Sequence, residues 1–216
     1  HRPAHQSSCT HAGATAAGSV TLTGEVAGRI SNPSFENGSA NWVQSNTATV
    51  VGGSINYTSE APLPTHGSYF YYIYTHTSYS HVPGEYGRIT QSADLTNLTA
   101  LKFDARLKSV SSGNNAYRAE VRIDDVTRWS ATAWGDYLDQ SIDLTGLTGV
   151  HTIELRGEVV ASLNGSRWAE FDNLRTFGTT GPYSTTGTLT SAVISPSQWT
   201  RWTQLSFTKD TTAAGS

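Results

Sequence analysis

Apolar and polar residues alternate with a period of two through the middle of the chain. In "LKFDARLK" (101–108), Leu101, Phe103, Ala105 and Leu107 fall on one side and Lys102, Asp104, Arg106 and Lys108 on the other. "AYRAEVRID" repeats the pattern, with Tyr117, Ala119, Val121 and Ile123 set against Arg118, Glu120, Arg122 and Asp124. "HTIELRGEV" continues it through Ile153 and Leu155. This is the signature of half-buried β-strands. Turn-forming clusters ("SSGNN", "DD", "WGD", "LNGS") separate the runs, and no stretch keeps the three–four spacing of an amphipathic helix. The pattern predicts an all-β, antiparallel two-sheet sandwich whose core includes Leu101, Phe103, Leu107, Val121, Ile123, Ile153, Leu155 and Phe171.

One phrase is written twice. "QSADLTNLT" starts at Gln91 and "QSIDLTGLT" at Gln140, differing only where Ala93 faces Ile142 and Asn97 faces Gly146. Asn and Gly are the residues that best tolerate positive φ, so both copies read as a strand, a tight turn and a new strand. Duplication and convergent turn chemistry both account for it.

With 216 residues the chain has room for one sandwich and an additional fragment. Three parts are expected: a polar tail over 1–18 that contains His1, His5, Cys9 and His11, a sandwich over 19–178, and a linker over 179–216 carrying two further strand-like runs, 187–195 and 201–208. Charged residues make up 14%, below the roughly 25% of ordinary domains. A net charge of -3 gives no electrostatic reason to expect nucleic acid. No apolar run approaches the ~18 residues of a membrane span. The single cysteine excludes a disulfide within the chain. The Lys-poor, Thr-rich composition suggests an extracellular protein. If it is exported where glycosylation occurs, Asn37, Asn56, Asn97 and Asn164 are sequon positions.

Six segments in order resemble a known pattern: "NPSFENGSANW" (32–42), "HGSYFYYIY" (66–74), "GRITQSADLT" (87–96), "VRIDDVTRWS" (121–130), "DLTGLTGVHTIELRGE" (143–158) and "AEFDNLRTF" (169–177). Together they resemble the galactose-binding-like jelly roll of extracellular carbohydrate-binding modules. That resemblance implies a buried Trp42. It also implies a structural Ca²⁺ between Glu36 and Asp172, a pairing that hard carboxylate oxygens suit.

Aromatic residues are the other candidate site. In "SYFYYIYTHTSY" (68–79), Tyr69, Tyr71 and Ile73 share one strand face, while Phe70, Tyr72 and Tyr74 share the other. A single core takes only one of those faces. The second face, joined by Trp129, Trp134 and Trp168 near turns, is a candidate glycan platform. The chain lacks an HExxH metal-protease motif and a GxSxG elbow, and the adjacent Asp124 and Asp125 read as a hairpin turn, so no catalytic residue is expected. Two functions remain. The orphan C-terminal strands favour a structural subunit that forms a homo-oligomer or polymer in a surface layer or filament by strand exchange. The alternative is a carbohydrate-binding module that takes a polysaccharide on its aromatics.

Overall fold

A computed structural model describes residues 23–47, 50–55, 64–76, 78–109 and 115–179. Among these there are thirteen strands and no helix. In chain order they are β1 (Thr23–Glu25), β2 (Val43–Asn46), β3 (Val50–Ile55), β4 (Phe70–Thr75), β5 (Ser80–His81), β6 (Tyr86–Asp94) and β7 (Leu98–Ser109). They continue with β8 (Tyr117–Ile123), β9 (Val126–Ala131), β10 (Gly135–Asp143), β11 (Val150–Val159), β12 (Leu163–Asn164) and β13 (Arg167–Thr179). A six-stranded sheet has the order β10-β7-β13-β4-β3, with β1 pairing the far end of β13. A five-stranded sheet has the order β2-β6-β11-β8-β9, and β5 and β12 form a small ribbon. All pairings are antiparallel.

The core lies between the two large sheets. Leu101, Phe103, Leu107, Val121, Ile123, Ile153, Leu155 and Phe171 are all buried in it, so the strand phase expected from alternation holds. A slip of one residue in any of these strands would send its apolar set to solvent. Asp124 and Asp125 form the two-residue β8–β9 turn, both at positive φ (49° and 62°), as a tight hairpin of right-twisted strands requires.

The opening phrase 32–42 folds into a run of turns held together by the Asn32 side chain. The Asn32 side chain donates to the carbonyls of Gly38 and Ala40 and accepts from Asn37 N. Trp42 is buried, as the resemblance implies, and its indole N–H donates to Asn32 O. Phe35 packs at 5.5 Å from Trp42 and 5.3 Å from Tyr71 and ties these turns to the core.

The repeated phrase forms two matching corners. The first carries the chain from the five-stranded sheet (β6) to the six-stranded one (β7), and the second carries it back (β10 to β11). In each, a turn N–H caps the Asp: Thr96 N donates to Asp94 and Thr145 N to Asp143. Leu95 and Leu144 are fully buried, and each accepts from the Leu three residues on. The corners also bond to each other, Leu95 N to Gly149 O and Gly149 N to Thr96 Oγ1.

The outer face of the five-stranded sheet is a checkerboard of Arg and Glu. Glu154 lies within 3.1–3.5 Å of Arg88, Arg122 and Arg156, and Glu120 pairs with Arg118 at 2.7 Å. The alternation places Glu120 and Glu154 on the solvent side. They are on that side but buried under the guanidinium groups, so charge pairing covers this face.

Candidate functional site

The outer face of the six-stranded sheet is built differently. Strand pairing sets its residues in a grid. Across one row run Lys108, Trp168, Tyr74 and Val51. The next row holds Asp136, Arg106, Glu170, Tyr72 and Gly53. Beyond it, Asp104 faces Asp172. One side of the face is therefore aromatic and the other charged, with Trp168 and Glu170 at the junction.

The aromatic side extends along β4. The rings of Tyr72 and Tyr74 stack with centroids 5.2 Å apart and planes at 28°. His76 follows at 6.3 Å from Tyr74, and the exposed Tyr79 at 5.5 Å from His76. Burial and the neighbouring Tyr74 hydroxyl push the Tyr72 phenol above its ordinary pKa. The turn that carries His76 and Tyr79 is held by the buried His81, whose ring nitrogens meet the Glu85 carboxylate (2.9 Å) and the His76 carbonyl (3.0 Å).

On the charged side, Lys108 binds Asp136 at 2.8 Å, and this bond holds the Asp136 carboxyl below the usual carboxylate range. Arg106 lies 3.5 Å from Asp136 and 4.0 Å from Glu170. A small pocket opens here, lined by Thr65, Phe70, Asp104, Arg106, Glu170 and Asp172. Burial raises the Glu170 carboxyl to a pKa of about 7. It also raises Asp172, against the pull of the N–H groups that Asp172 accepts.

Asp104 has a separate task. Both strands beside β7 are bulged, β10 between Tyr137 and Gln140 and β13 between Asp172 and Arg175. Asp139 and Asn173 sit in these bulges at φ 50° and 54°. Asp104 accepts from Asp139 N (2.7 Å) and Asn173 Nδ2 (3.1 Å), so one carboxylate pins both irregularities.

The structure divides the six aromatic candidates. Tyr72, Tyr74 and Trp168 share the outer face and are partly exposed. Phe70 points the same way but is only 1% exposed, so it lines the pocket and offers no open platform. Trp129 and Trp134 pack against the core instead. Trp129 fills the sandwich margin edge-on between Phe103 and Tyr137, and its N–H donates to Gln140. Trp134 lies under the Arg167 guanidinium, 5.7 Å from its centroid. Their position beside turns suggested exposure, but packing between strands from different sheets removes them from the platform.

Glu36 and Asp172, the pair expected to hold Ca²⁺, both bind one loop. Glu36 Oε1 accepts from Ser68 N and Tyr69 N. Asp172 Oδ2 accepts from Thr65 N, Thr65 Oγ1 and His66 N, and Oδ1 accepts from Asn173 N. Donor hydrogens thus occupy lone pairs that a cation would need, and no group of three acidic, His or Cys side chains suited to a metal occurs among the described residues. This arrangement does not fit an ion shared by the two carboxylates. Of the sequons, Asn37, Asn97 and Asn164 are exposed, and Asn56 lies outside the described residues.

Sequence reasoning missed Glu170, Arg106, Lys108, Asp136, His76 and Tyr79. Alternation had assigned Arg106 and Lys108 to an outward face, but no local signal told which distant residues would join them.

No family model and no curated protein matches the chain. Among solved structures it is similar to the module TmCBM61 in complex with β-1,4-galactotriose, at 14% identity over 69% of this chain and 97% of that one, with a TM-score of 0.44. The carbohydrate-binding module TmCBM27, described for specific mannan recognition, shows 15% identity over 74% and 99%, TM-score 0.45. A cyclase from Fischerella sp. TAU shows 14% identity over 76% and 100%, TM-score 0.48. Carbohydrate-binding modules thus stand among the structures this chain resembles, and so does an enzyme. No helix among the described residues is long and apolar enough to cross a membrane.

Proposed function

We propose that this protein binds carbohydrate on the outer face of its six-stranded sheet, without a catalytic step, in an extracellular setting. The carrying observation is the grid itself: Tyr72, Tyr74 and Trp168, partly exposed on one face, beside a pocket lined by acidic and basic side chains. Sugars present apolar C–H faces and polar hydroxyl edges. A site that places aromatic area next to a few fixed polar groups suits both. The opposite outer face is closed by Arg–Glu pairing, and Tyr86 on it lies under the Arg156 guanidinium, 3.9 Å from the ring centroid.

The assembly reading rests on the runs 187–195 and 201–208, which lie outside the described residues. The observations on the described sheet favour glycan binding. Affinity electrophoresis against a panel of soluble polysaccharides tests it. Tyr74→Ala and Trp168→Ala are each expected to weaken binding at least tenfold, the scale of a well-packed aromatic contact. Retention of full affinity by both variants overturns the reading.

A further inference from the structure

Glu170 is 3% exposed, and neither of its carboxylate oxygens has a hydrogen-bond partner among the described residues. Arg106, at 4.0 Å, stands beyond hydrogen-bond reach of it. The two other acids of the pocket differ in this respect. Asp172 is supplied with donors by Thr65, His66 and Asn173, and Asp104 by Asp139 and Asn173. The fold satisfies those two and leaves both Glu170 oxygens without a donor among the described residues. A buried carboxylate without hydrogen-bond donors is costly, and folds retain such groups chiefly where something outside the chain supplies the missing donors. Here the pocket opens beside Glu170, Tyr72 lies directly across the strand pair, and Trp168 lies two residues back on the same face.

We propose that Glu170 is the polar anchor of the carbohydrate site: its two oxygens accept hydroxyl protons from neighbouring carbons of a sugar ring seated against Tyr72, Tyr74 and Trp168, and this confines the ligand to uncharged glycans. The inference rests on the carbohydrate reading above and adds to it the contact that selects the ligand class. A hydroxyl pair brings donors, which is what the Glu170 carboxylate lacks. A uronate would bring a further negative charge against Asp104, Asp136, Glu170 and Asp172. The nearby cations do not compensate, because Lys108 is bonded to Asp136 and Arg106 lies beside the same carboxylate.

Protonation of Glu170 removes one acceptor, so binding should weaken at acid pH. The ionisable groups around Glu170 are Arg106, Lys108 and Asp104 of β7, Asp136 of β10, Asp172 of β13 and Tyr72 of β4. The Glu170→Gln variant isolates its share of any pH response from theirs.

The test is calorimetric titration of the whole chain with β-1,4-linked galacto-, manno- and gluco-oligosaccharides, and with oligogalacturonate as the charged counterpart. The wild type is expected to bind at least one neutral ligand and to bind oligogalacturonate at least tenfold more weakly. Its affinity should fall severalfold between pH 8 and pH 5.5. Glu170→Gln should bind at least tenfold more weakly at pH 8, lose the pH dependence, and melt no lower than the wild type. Glu170→Leu, which removes the polar group altogether, should also lose binding without loss of melting temperature. Equal affinity of wild type and Glu170→Gln while Tyr74→Ala abolishes binding overturns the anchor and leaves the carbohydrate reading standing. Tight binding of oligogalacturonate likewise overturns the anchor alone. If the wild type binds none of these sugars, both fall.

Discussion

Asn97 and Gly146 occupy the same step of two matching corners, at φ 63° and 86°. Each follows an Asp-Leu-Thr whose Asp caps the turn and whose Leu is fully buried. The chain repeats its phrase because it changes sheets twice with the same turn chemistry. Only residues that tolerate the left-handed region fit the step.

Gly146 has open space around its Cα, so backbone strain alone opposes a side chain there. Gly146→Ala is expected to lower stability by about 1–2 kcal/mol, the cost of placing an ordinary residue in that region. Asn97→Gly should change it by less. Urea unfolding of both variants checks the pair, and an unchanged midpoint for Gly146→Ala would contradict the assignment.

Asp104 connects the two bulges that flank β7. Asp104→Ala leaves Asp139 N and the Asn173 amide without their partner, and hydrogen bonds to a charged group are worth about 1.5–3 kcal/mol each. A loss of roughly 2–4 kcal/mol is expected in denaturant unfolding. Asp136→Ala, whose bonds are exposed, should cost under about 1 kcal/mol.

The raised Glu170 pKa makes stability depend on pH. The folded state holds this proton up to about pH 7, whereas an unfolded Glu releases it near 4.5. Between those values the native state binds more protons than the unfolded one, so stability falls as pH rises through that window. The shift corresponds to roughly 3 kcal/mol at most. Thermal melts from pH 4.5 to 8 should show the decline in the wild type and a flatter profile in Glu170→Gln. Parallel profiles would show that Glu170 does not titrate in this window.

With Glu36 and Asp172 occupied by the loop that includes Thr65–Tyr69, chelator should leave the melting temperature unchanged. Glu36→Gln and Asp172→Asn should instead speed amide exchange at Thr65, His66, Ser68 and Tyr69. A rise in melting temperature on adding Ca²⁺ would restore the ion that the sequence resemblance implies, because a ligand of the native state stabilises it.

Strand identity and phase were legible in the sequence. Alternation at 101–108, 117–123 and 153–156 is a local property of the pleat, and each run carries its own record of which side faces the core. Turn chemistry was equally local, at Asp124–Asp125 and at the two corners. The site was not legible in this way. Trp168 and Glu170 meet Tyr74 and Tyr72 only because β13 lies beside β4, and Arg106 joins them only because β7 lies on the other side. Order and register among strands distant in sequence arise from packing the whole sandwich, not from any window of residues. The same packing buries Phe70 and turns Trp129 inward, and it leaves the Glu170 carboxylate without a donor among the described residues. Local pattern determined which residues face out, and tertiary structure decided which of them face out together.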